Sequence, residues 1–110
     1  MSYCITPEFM TVRRVQRSRR LHRCCETGKV IPAGAPAVLI SGKWDGDVRT
    51  YRMRPEVWSL WGKVDSQLRQ VRDWDDCLEF GGLRDHFAEV RRFEPASPLL
   101  AEWDRILAIA

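Results

Sequence analysis

The 110-residue chain contains no apolar run near the roughly 20 residues that a bilayer-crossing helix requires, so no transmembrane helix is expected. Its opening, MSYCITPEFMTVRRV, lacks the basic-then-apolar pattern of a secretory signal. The expected location is therefore cytoplasmic, with reduced thiols and no structural disulfide. Histidine is scarce at two residues, and lysine numbers three against fifteen arginines. No glycine-rich phosphate cradle is present, because Gly81-Gly82 lacks the Lys-Ser/Thr that follows in nucleotide sites. The acids Asp45/Asp47 and Asp73/Asp75/Asp76 lack the spacing of a calcium loop and read as solvated turns. A Cys25–His86 dyad has no local motif behind it, and no nucleophile, base and oxyanion site converge. The chain is expected not to be an enzyme.

What the sequence does hold is enough to fold. Its residues are 45% hydrophobic and 30% charged, with five Trp, which excludes a disordered or low-complexity chain. The length points to a single domain over 1–110. The formal net charge of +3 hides a polarity along the chain. Residues 1–30 carry seven basic side chains against two acids, whereas residues 65–110 carry six against ten. Six arginines fall within the eleven residues RRVQRSRRLHR: Arg13, Arg14, Arg17, Arg19, Arg20 and Arg23. Their planar forks suit phosphates or an acidic protein surface. The plainer alternatives are a solvated face and a genome rich in arginine codons. No aromatic residue interrupts the run, which weakens it as a nucleic-acid signal.

Local patterns then divide the chain. Pro7 can open a short helical stretch from Glu8 onward. HRCCETGKVIPAGAP reads as a turn-rich knuckle, punctuated by Gly28, Pro32, Gly34 and Pro36. Ala37–Ser41 and Val48–Met53 read as strands, and Asp45-Gly46 between them as the tight turn of a β-hairpin. Pro55 opens a helix that runs to about Arg72 through Val57, Trp58, Leu60, Trp61, Val64 and Leu68. Asp73–Asp76 breaks the periodicity. A helix over Leu83–Phe93 follows Gly81-Gly82, and Ser97-Pro98 caps a last one with Leu99, Leu100, Trp103, Ile106, Leu107 and Ile109 as its buried stripe.

The middle of the chain resembles small zinc-ribbon or treble-clef-like proteins of phages and prophages. The matching pieces are His22-Arg23-Cys24-Cys25-Glu26-Thr27-Gly28-Lys29-Val30-Ile31-Pro32-Ala33-Gly34, Ser41-Gly42-Lys43-Trp44-Asp45-Gly46, Thr50-Tyr51, and Cys77-Leu78-Glu79-Phe80-Gly81-Gly82-Leu83-Arg84-Asp85-His86. They span about residues 20–90. The resemblance implies a fold and a phage origin, and no assigned activity. The expected class is α+β: a zinc-ribbon-like hairpin and helix over 20–72, then a helical extension over 73–110.

The departures from that pattern bear on metal. A structural zinc takes four N or S ligands, which two Cys-x-x-Cys knuckles supply. Here Thr27 stands for the second cysteine, and Arg54 and Val57 for the third and fourth, so Cys24 alone remains. The inherited site is expected to be degenerate and to hold no metal or other cofactor. A rebuilt site would have to draw on His22, Cys24, Cys25, Cys77 and His86, of which adjacent Cys24-Cys25 cannot readily chelate one ion.

Two functions follow as expectations. One is a non-enzymatic, phage-derived protein-binding module with a host protein as partner, extended to inhibition of a bacterial defence system such as CRISPR–Cas. Its contact residues would be Trp44 and Asp45 at the hairpin tip and Asp73, Trp74, Asp75 and Asp76 in the acidic break. Trp44 folded back over the hairpin is the competing reading. The alternative is a nucleic-acid-binding accessory protein that uses Arg13, Arg14, Arg17, Arg19, Arg20 and Arg23. Self-association is open through the apolar C-terminal helix, and no membrane partner is expected.

Overall fold

In the computed structural model, which describes residues 7–71 and 78–109, the segment expected to be helical from Glu8 is a strand. This strand, β1 (Phe9–Val15), pairs antiparallel with β4 (Ala37–Trp44), setting Thr11 opposite Ser41 and Arg13 opposite Leu39. The physical reason lies in Thr11, Val12 and Val15, whose branched side chains suit a pleated surface better than a helix. A seven-residue segment is also too short to hold a helix without a buried face.

The hairpin stands where its pattern put it. β4 is joined to β5 (Asp47–Met53) through Asp45-Gly46, both with positive φ, at 50° and 83°. That is the conformation a two-residue hairpin turn demands, and glycine holds its second place without strain. Strand order is β1-β4-β5. A second, two-stranded sheet joins β2 (His22–Arg23) to β3 (Val30–Ile31) across the knuckle turn.

Three helices complete an α+β fold: α1 (Pro55–Val71), α2 (Leu83–Phe93) and α3 (Pro98–Ala108). Ser97 occupies the N-cap position of α3, but its hydroxyl makes no capping bond; Pro98 alone marks the start. Val38 and Ile40 of β4 are fully buried with Met53, Val57, Leu60 and Val64, so α1 lies over one face of the sheet. Phe87 of α2 stacks on Trp103 of α3 at 5.3 Å, and Leu100 and Ile106 join the same core. Most of the apolar stripe of α3 is thus spent inside the fold, but Ile109, expected to be buried with it, lies past the last helical residue and is exposed.

Side chains reach from the knuckle to the helices and hold it in place. Glu26, only 2% exposed, sends its carboxylate across to α2, where Oε1 accepts the N–H of Leu83 at 2.9 Å and Oε2 the N–H of Gly81. Lys29 Nζ donates to the Leu107 carbonyl in the last turn of α3. Arg54, just before α1, donates to the Val30 carbonyl at 2.9 Å, and Arg84 of α2 to the Thr27 carbonyl at 2.7 Å. An anion thus meets the N-terminal end of one helix and a cation the C-terminal end of another, as the helix dipole favours.

Candidate functional site

Register assigns the side chains of the three-stranded sheet to two faces, since cross-strand partners share a face. The inner face carries Met10, Val12 and Arg14 beside Gly42, Ile40 and Val38. The outer face carries Phe9, Thr11 and Arg13 beside Lys43, Ser41 and Leu39, and then Val48, Thr50 and Arg52. The helical layer stops short of β1, so Met10 and Val12 remain 45% and 42% exposed although they face inward, and Phe9 is 50% exposed. On the outer face the hydroxyls form a row: Thr11 Oγ1 donates to the Ser41 carbonyl at 3.4 Å, and Ser41 Oγ lies 3.3 Å from Thr50 Oγ1.

The arginine run continues from β1 into a pinned loop. Ser18 is its buried residue: its N–H and hydroxyl both meet the Ala35 carbonyl at 2.8 Å, and its own carbonyl accepts from Gly34 N–H at 2.7 Å. Arg17, Arg19 and Arg20 flank this anchor and are all exposed. Arg13 and Arg14 are exposed on opposite faces of β1, and among the described residues none of these five arginines lies within ion-pair distance of a carboxylate. Arg23 bonds the Gly28 carbonyl at 3.0 Å. The one acid beside β1, Glu8, pairs with Lys43 at 3.5 Å.

The hairpin tip is arranged differently. The Trp44 ring folds back over Gly42, where a Cβ would stand 2.6 Å from the indole and 2.7 Å from the Phe9 carbonyl oxygen. Trp44 meets Tyr51 and Phe80 edge-on at 5.6 and 5.7 Å, and Phe80 stacks on Trp61 at 4.6 Å. The indole is half-buried in this cluster, and Asp45 alone of the tip pair is exposed. Asp73, Trp74, Asp75, Asp76 and Cys77 lie outside the described residues.

Among the described residues, the remaining metal and thiol candidates do not gather into one site. Cys24 is buried in the core, and among the described residues no three His, Cys, Asp or Glu side chains gather to hold an ion. Of the positions where the resemblance would place ligands, Thr27 and Arg54 line one small cleft with Lys29, Glu56, Ile106 and Ile109. Val57 is buried in the core. Burial pushes the Cys25 thiol far above the ordinary thiol range, and the Glu26 carboxylate beside it, 3.4 Å from Sγ, adds to the shift. Both effects favour the thiol over the thiolate. Burial also holds the His86 imidazole below its usual value, against the opposing charges of Glu89 and Glu94.

Phe9, Met10 and Val12 are the surface residues that sequence reasoning missed. The signal was the alternation Met10-Thr11-Val12-Arg13, apolar against polar, which Arg14 interrupts. Compared with known families, curated proteins and solved structures, the chain shows no match.

Proposed function

We propose that the chain is a non-enzymatic module that binds single-stranded nucleic acid on the β1 strand and the loop after it. One observation carries this reading: Phe9, Thr11 and Arg13 stand in a row on the outer sheet face, continuous with the exposed Arg17, Arg19 and Arg20. Arginine forks neutralise phosphates, an exposed ring gives a base something to stack on, and hydroxyls supply neutral hydrogen bonds. The aromatic partner that the linear arginine run lacked is thus supplied by the strand.

The resemblance to phage ribbon proteins enters this proposal as ancestry. What supports it is the order of knuckle, hairpin and helix; of the four ligand positions it would imply, Thr27 and Arg54 line one cleft while Cys24 and Val57 lie in the core. In this reading the side-chain braces on the knuckle took over a role once held by metal. The host-protein and anti-defence reading rests on Asp73, Trp74, Asp75 and Asp76, outside the described residues, and on Trp44, whose ring is engaged within the hairpin.

Fluorescence anisotropy with a labelled single-stranded oligonucleotide tests the proposal. The triple variant R17A/R19A/R20A is expected to weaken binding about tenfold or more, from three lost phosphate contacts. Unchanged affinity in a folded variant would overturn it.

A further inference from the structure

We infer that β1 is also a self-pairing edge, along which a second copy of this chain adds antiparallel to form one continuous six-stranded sheet. The inference stands independently of the nucleic-acid reading.

The sheet has two edges, β1 and β5, and they are treated differently. At β5 the knuckle closes one end, with the Cys25 N–H on the Arg52 carbonyl at 2.8 Å, and charged residues recur along the strand at Asp47, Arg49 and Arg52. β1 pairs only with β4 among the described residues. Its seven residues contain no proline, and Phe9, Met10 and Val12 are exposed along it. An edge strand of that length and polarity is a template for another strand, since its outward backbone groups need partners.

The identity of that strand follows from the order of charges in Glu8-Phe9-Met10-Thr11-Val12-Arg13-Arg14. A two-fold axis at Thr11 sets Thr11 against its copy and Met10 against Val12 of the other chain. Phe9 then faces Arg13, and each Glu8, which pairs with Lys43 within its own chain, also reaches the Arg13-Arg14 end of the other strand. Apolar residues match apolar residues, a ring meets a guanidinium, and acid meets base at both ends. Parallel pairing would instead stack Arg13-Arg14 on itself and would not close. An acidic strand from another protein would satisfy the arginines but would leave Glu8 against like charge. The sequence of β1 is therefore complementary to itself, and joining two copies places both arginine loops on one assembly.

Sedimentation equilibrium of the full chain over a wide concentration range is the experiment, with circular dichroism as the folding control. A reversible monomer–dimer equilibrium is expected. Glu8→Arg alone, or Arg13→Glu with Arg14→Glu, is expected to weaken the dimer about tenfold, and the three changes together to restore it. In the register above, T11C places two thiols within the roughly 4.4–6.8 Å Cα separation a disulfide spans, so oxidation should link the two chains through position 11. A folded wild-type chain that stays monomeric at every concentration would overturn the inference. So would a dimer indifferent to the charge exchange, or one in which T11C fails to cross-link.

Discussion

The Glu26 carboxylate accepts the backbone N–H of Leu83 at 2.9 Å from 57 residues away. With Gly81 N–H and the Cys25 thiol on its other oxygen, this one side chain ties the knuckle to the start of α2. Removing it leaves the buried Leu83 amide without its partner, and the Gly81 amide beside it without the same carboxylate. We expect Glu26→Ala to cost about 2–4 kcal/mol, and Glu26→Gln about half as much because one acceptor survives. Urea unfolding measures both. A loss below about 0.5 kcal/mol for the alanine variant would show that the brace is not structural.

Lys29 makes the matching contact at the other pole of a helix, on the Leu107 carbonyl near the end of α3. We expect Lys29→Met to lower stability by about 1 kcal/mol, and to increase hydrogen exchange selectively in the last turn of α3. Uniform exchange changes would assign the loss to the knuckle instead.

Gly42 owes its place to the Trp44 ring lying over it. A methyl group there must displace either the indole or the β1 backbone. Gly42→Ala is expected to destabilise by about 1–3 kcal/mol and to alter tryptophan fluorescence. An unchanged spectrum would place the ring elsewhere.

His86 contributes to the pH dependence of stability. Burial lowers its folded value below the ordinary 6.5, so the unfolded chain takes up its proton first as pH falls. The His86 contribution is therefore intact above pH 6.5 and is lost as pH falls through the folded value. Comparing unfolding free energies of wild type and His86→Gln between neutral and mildly acid pH isolates it. The variant should lose less stability on acidification, and parallel curves would refute the assignment.

Elements defined by local chemistry were readable in the sequence. Pro55 and Pro98 open α1 and α3 where expected, Asp45-Gly46 turns the hairpin, and α2 spans Leu83–Phe93 as its flanking glycines indicate. β1 was not readable, because Arg13-Arg14 interrupts its alternation and its register depends on β4, about thirty residues on. Nor were the braces. Glu26, Lys29 and Arg54 find partners 57, 78 and 24 residues away, and no local pattern announces such pairs. The arginine candidates were visible as a run, but their surroundings were not. Ser18 holding the loop and Phe9 lying in line with Arg13 are products of the fold.

The salt dependence of oligonucleotide affinity tests the central claim most directly. A module that neutralises three to five phosphates of a single strand should give a linear fall of log affinity against log salt, with a slope of about −2 to −3.5. R17A/R19A/R20A should flatten that slope by about two. Absence of binding at low salt, or an affinity that salt does not change, would contradict the assignment of β1 and its arginine loop as a nucleic-acid surface.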